Sequence, residues 1–137
     1  MLKTKRRDFI ALAGAVIGSA VLVNPLDALA MINPGEKKYV HQVYFWLKSP
    51  GNEADKTKLT EGLRTLASIK LIQQIHIGLP AKTERPVIDR SYALSLLLIF
   101  NNQKDQEAYQ THPTHLEFVK KYSALWERVQ IYDSEDV

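Results

Sequence analysis

The chain has 137 residues, 45% of them hydrophobic and 24% charged, with a net charge of +3 at pH 7. This composition excludes disordered, collagen-like and low-complexity classes, and the length suits one domain rather than two. It contains no cysteine, which removes disulfides, thiolate metal centres and a thiol nucleophile.

Residues 1–30 read as an address. Lys3-Thr4-Lys5-Arg6-Arg7-Asp8 is followed by Phe9 and a mild apolar run from Ile10 to Val23. That run is shorter than the roughly 20 residues a membrane span requires. Asn24-Pro25 ends it, and Ala28-Leu29-Ala30 supplies a small-x-small cleavage site. The segment resembles a twin-arginine export signal, with Arg6-Arg7 as the pair. The expectation is cleavage after Ala30, a periplasmic or otherwise exported location, and the twin-arginine translocase as a transient partner. Residues 31–137 then form the domain. Residues 1–30 carry four of the 18 basic and two of the 15 acidic residues, so the remainder has a net charge of only +1. No basic footprint for nucleic acid survives.

The elements are taken in chain order. Asn33-Pro34-Gly35 is a turn. Lys38 to Lys48, rich in β-branched and aromatic residues, predicts a strand with Tyr39, His41, Val43, Phe45 and Leu47 on one face and Val40, Gln42, Tyr44 and Trp46 on the other. Ser49-Pro50-Gly51-Asn52 breaks the strand and caps a helix. That helix, Glu53 to Ile69, carries Leu59, Leu63, Leu66 and Ile69 as one stripe. Leu71 to Leu79 predicts a second strand, with Leu71, Ile75, Ile77 and Leu79 on one face and Ile72, Gln74, His76 and Gly78 on the other. Ala81 to Asp89 is a polar loop. Arg90 to Phe100 is a third strand, apolar on both faces. Gln103 to Trp126 is helical but interrupted at Pro113, and Arg128 to Asp133 closes as a fourth strand.

The order β-α-β-β-α-β predicts an α+β, ferredoxin-like sandwich. Two helices cover only one face of a four-stranded sheet, yet the first and third strands are apolar on both. A second copy of the chain is the simplest cover, which predicts a homodimer with its sheets face to face and Tyr44 or Trp46 near the seam.

Chemistry concentrates around the helix break. Proline lacks an amide donor and disfavours helical geometry in the residue before it, so His112-Pro113 should break or bend the helix. In one unbroken helix Tyr109 and His115 would sit about 120° apart around the axis. A break lets both aim at one space. Pro113 would open a new helix with His115 in its first turn, where the helix dipole disfavours imidazolium. A neutral His115 accepts a proton near pH 7, and the Tyr109 hydroxyl can bond an oxyanion. The bland reading is that Tyr109 fills core volume, His115 is a satisfied first-turn residue and His112 a surface hinge.

Tyr109-x-x-His112-Pro113-x-His115-x-x-Phe118, with His41 before Val43-Tyr44-Phe45 and a closing Val129-x-Ile131-x-Asp133, resembles the stress-responsive α/β-barrel (Dabb) family. The resemblance spans essentially all of 31–137. It implies a dimeric α/β barrel with a pocket between helices and sheet, but no single activity. In one member, a polyketide cyclase that forms olivetolic acid, the tyrosine and second histidine of this motif are the acid–base pair; they match Tyr109 and His115, and a first-strand pocket histidine matches His41. That cyclase carries a further histidine where this chain has Leu94, which weakens any claim to its substrate. The expected site is therefore Tyr109 and His115 as tentative catalytic residues, with His41, His112, Phe45 and Leu96 lining a pocket.

No cofactor is expected. His112 and His115, with His41 as a third ligand, invite a metal, but Pro113 spoils the helical spacing and no ordered carboxylates join them, so no metal is expected either. The leading expectation is a homodimeric protein binding a small apolar or aromatic molecule. The alternatives are a lyase or polyketide-cyclase-like enzyme using Tyr109 and His115, and a non-catalytic stress-response structural protein.

Overall fold

The computed structural model describes residues 36–137. The expected signal over 1–30 and the turn at 33–35 lie outside the described residues. The elements are β1 (Tyr39–Leu47), α1 (Glu53–Thr65), a 3-10 turn (Leu66–Ser68), β2 (Ile72–Gly78), β3 (Leu94–Phe100), α2 (Gln103–Gln110), α3 (Pro113–Tyr122), a 3-10 turn (Ser123–Leu125) and β4 (Trp126–Glu135). The four strands form one sheet in the order β2-β3-β1-β4, with every pairing antiparallel. This is the α+β, ferredoxin-like arrangement, its second helix in two pieces.

Local chemistry sets the boundaries. Gly51 takes the turn before α1 at φ +79°, a conformation open to glycine and strained for other residues. Asn52 then caps α1, its side chain accepting from the Asp55 amide at 3.1 Å. Glu53 and Asp55 in the first turn and Arg64 in the last complement the helix dipole. The helix expected to reach Ile69 is α-helical only to Thr65 and tightens into the 3-10 turn, still delivering Leu66 and Ile69 to the core. The third strand begins at Leu94, not Arg90, because the Ser91 amide is held by the Asp89 carboxylate at 2.8 Å in a side-chain turn. The fourth runs longer than Arg128–Asp133 because it pairs along all of β1, from Leu47 with Trp126 to Tyr39 with Glu135.

Burial alternates along the two central strands. His41, Val43, Phe45 and Leu47 on β1 and Leu94, Leu96, Leu98 and Phe100 on β3 are buried beneath Leu59, Leu63, Leu66, Tyr109 and Phe118 from the helices. Two expectations for β2 are corrected. A register shift between Ile72 and Gln74 sets Ile72 opposite the buried Phe100, so Ile72 packs against the core with Ile75 and Ile77 instead of sharing the polar face with Gln74 and His76. Leu79, expected on the apolar face, lies past the strand end and is exposed.

The other face of the sheet carries Val40, Tyr44, Trp46, Leu97 and Ile99, all half-buried. The chain covers part of it itself. Tyr92 meets Tyr44 edge-on at 4.9 Å and Trp46 at 6.5 Å between ring centroids, Ser91 accepts from the Trp46 indole at 3.1 Å, and the Arg128 guanidinium lies 4.2 Å over the Trp46 ring.

Candidate functional site

The helix break does what the geometry of Pro113 requires. Helix α2 stops at Gln110, and α3 starts with Pro113 at its first position, after His112 in extended conformation at φ −61°, ψ 135°. Across that corner the rings of Tyr109 and His115 come to 4.4 Å between centroids. On the sheet side, His41 meets Tyr109 edge-on at 6.1 Å. Tyr109 therefore lies between two imidazoles, itself buried and in contact with the core through Phe100 at 5.2 Å.

Each imidazole has one nitrogen committed. The Nδ1 of His41 lies 2.6 Å from the Asp133 carboxylate, which only accepts, so Nδ1–H donates. The Nδ1 of His115 lies 3.0 Å from the Gln110 carbonyl oxygen, again a pure acceptor, so this nitrogen also carries its hydrogen. When either ring is neutral, its lone pair is on Nε2. Burial pulls the His115 pKa below its ordinary value; the bond to Gln110 opposes this, and the charges of His41 and His112 add to it. The neutrality expected from the helix dipole thus has burial as its first cause. Burial alone pushes the Tyr109 hydroxyl well above the usual phenol range, so Tyr109 is a donor at neutral pH.

The remaining expected residues divide. His112 faces the helix end: its Nδ1 accepts from the Thr114 amide at 3.1 Å and caps α3. Phe45 packs against Trp126 at 5.1 Å, and Leu96 sits in the sheet between Val43 and Ile77. Contacts gather His41, Tyr109 and His115; Phe118 continues the array, 6.5 Å from His115 and stacked on Trp126 at 5.8 Å. Of two surface grooves, one of about 470 Å³ lies apart, between α1 and the ends of β2 and β3, and one of about 420 Å³ lies between α1 and α3, bordered by Pro113 and Phe118. Among the described residues no group of three or more His, Asp or Glu is placed to hold a metal ion.

Sequence reasoning missed two residues. Asp133 was legible only as the end of a strand pattern; the β1–β4 register sets it opposite His41. Tyr39, next inward-facing residue along β1, has its hydroxyl pKa pushed up to about 12, first by burial and then by a hydrogen bond to Asp133 and the charges of Asp133, Glu135 and Glu107. A directly opposed polar pair on two separate strands leaves no trace in a single sequence, because the register that joins them is set by the whole sheet.

Comparison with known proteins agrees with the fold. The family model described as Stress responsive A/B Barrel Domain matches residues 40–136. No curated protein matches the chain. A Dabb-family protein of ferredoxin-like fold from Mesorhizobium loti superposes with a TM-score of 0.62 at 21% identity, over 74% of this chain and 98% of that one. A dimeric protein of unknown function and ferredoxin-like fold from Bacteroides fragilis gives 0.56 at 24% identity, over 72% and 96%. The hydroxynitrile lyase of Passiflora edulis gives 0.61 at 16% identity, over 74% and 94%.

Proposed function

The chain belongs to the stress-responsive A/B barrel domain family, and from that premise we propose that it works as a homodimer holding a small, largely apolar molecule against Tyr109 and His115. The observation that carries this reading is the buried tyrosine flanked by two imidazoles whose Nδ1 atoms are both tied away, at 2.6 Å and 3.0 Å, leaving Nε2 as the nitrogen each can offer. A core needs no such arrangement for packing; a phenylalanine would fill the volume of Tyr109. Dimerisation is supported by the half-buried apolar face of the sheet and by structural neighbours described as dimeric.

A second reading, an acid–base lyase, is favoured by the direction in which both pKa values move. A neutral His115 can take a proton at Nε2 while the protonated Tyr109 donates to the oxyanion that develops. One structural neighbour is a hydroxynitrile lyase. The test is a thermal-shift screen of small aromatic ketones and aldehydes on wild type, Tyr109→Phe and His115→Gln, then proton exchange at the ketone α-carbon in deuterated water. A ligand that stabilises wild type and loses its effect in both variants supports binding; accelerated exchange lost in both supports the lyase. Ligand effects indifferent to both substitutions sink both readings and leave a structural role.

Export belongs to the same proposal. Arg6-Arg7, the short apolar run and Ala28-Leu29-Ala30 support it. Expressed in a bacterium with a twin-arginine pathway, the exported protein should begin at Met31, and Arg6→Lys with Arg7→Lys should hold it in the cytoplasm; export undiminished by that change excludes the route.

A further inference from the structure

We infer that this site takes an uncharged carbonyl compound and rejects a carboxylate of the same shape, an inference that rests on the binding reading above. The groups gathered around Tyr109 are hydrogen-bonding atoms without permanent positive charge: one phenol and two imidazoles. Among the described residues, the formal charge bonded to one of these three groups is the Asp133 carboxylate, 37% exposed, on His41. Even with His41 protonated, that pair sums to zero.

The charges acting on the neighbouring Tyr39 hydroxyl have the same sign: Asp133, Glu135 and Glu107 all hold its proton on. The groups whose charge acts on His115 are His41 and His112, and Tyr109 responds to burial alone. Among the described residues no ammonium or guanidinium acts on Tyr109 or His115, so a carboxylate moved there would lose its hydration without a countercharge, with the Asp133 carboxylate beyond His41 as the like charge on the sheet side. A ketone or aldehyde oxygen needs one donor, which the Tyr109 hydroxyl supplies. Its apolar remainder suits the neighbouring ring of Phe118.

Acetophenone and benzoate are nearly isosteric and differ in charge, so calorimetric titration of the full-length protein with each at neutral pH isolates the point. Acetophenone should bind at least about tenfold more tightly than benzoate. Tyr109→Phe should weaken acetophenone by about fivefold or more, through loss of the one donor. Asp133→Asn keeps an oxygen for the His41 Nδ1–H but drops the charge, and should narrow the gap at least about threefold by tightening benzoate. Benzoate binding as tightly as acetophenone, with both sensitive to Tyr109→Phe, overturns the charge selection and leaves the binding reading standing. An unchanged gap in Asp133→Asn overturns the part given to Asp133. If neither probe binds, or both ignore Tyr109→Phe, the binding reading itself falls and this inference with it.

Discussion

His41 and Asp133 face each other across the β1–β4 pair, and the imidazole donates to the carboxylate over 2.6 Å. The bond joins a histidine 4% exposed to an acid at the margin of the solvent. Asp133→Ala leaves the buried Nδ1–H without its acceptor and should lower stability by about 1–3 kcal/mol. Asp133→Asn, whose amide oxygen still accepts, should lose about half of that or less. Urea midpoints at one fixed protein concentration measure both, since a dimer's midpoint moves with concentration. An alanine variant as stable as wild type would show that the pair contributes nothing to the fold.

His115 makes stability depend on pH. Its folded pKa lies below the ordinary value of 6.5, so between the two values the unfolded chain binds more protons than the folded one. Its contribution is fully present above 6.5 and is lost as the pH falls from there toward the folded pKa. The thermal midpoint should therefore drop as pH is lowered through about 6.5 toward 5, and His115→Gln should flatten that slope. Asp89, held below the usual carboxylate range by its hydrogen bonds with Ser91, loses its contribution at lower pH, and does so in both proteins. The difference between the two curves isolates His115; parallel curves would mean that the histidine titrates as it does in the unfolded chain.

The parts that could be read in advance are those a single segment determines. Alternation on Tyr39–Leu47 and Leu94–Phe100, the stripe of Leu59, Leu63 and Leu66, and the break at Pro113 each arise from the residues of one element, and the structure keeps them. The convergence of Tyr109 and His115 was legible for the same reason, because proline geometry is local. What was missed depends on two segments meeting. The shift at Ile72–Gln74 exists only in pairing with β3, Asp133 becomes a partner of His41 only through the β1–β4 register, and the Asp89–Ser91 turn competes with a ladder that the sequence pattern favoured. His112 belongs to the motif that suggests a pocket, while the bond its ring accepts from Thr114 serves the start of α3 and depends only on local geometry.

That bond gives a clean separation of roles. If His112 works as the cap of α3, His112→Ala should cost about 1 kcal/mol, while His112→Asn or His112→Asp, which return an oxygen to the Thr114 amide, should restore most of it. Ligand binding should track stability and not histidine chemistry, so the asparagine variant should bind as wild type does. Denaturation midpoints and a titration on the same three variants decide it. An asparagine variant that is stable but does not bind would return His112 to the pocket.

Helices α1 and α3 meet where Gly62 faces Tyr122. A Cβ at Gly62 would lie 2.6–2.7 Å from three carbons of the Tyr122 ring, one of them Cγ, so the near end of the ring must move as well as its tip. That ring is also stacked on Phe118 at 5.6 Å, which resists the movement. Alanine gains about 1 kcal/mol of helix propensity over glycine, but forcing a methyl into a packed contact costs about 1–3 kcal/mol. Overpacking should win, and Gly62→Ala should be less stable than wild type. The double variant Gly62→Ala with Tyr122→Leu should recover part of the loss, because the branched side chain can turn away where the ring cannot. Because Phe118 also touches His115, the single variant should weaken ligand binding together with stability. A Gly62→Ala protein with a raised midpoint would show instead that the two helices part readily and that their contact does not hold the ring array in place.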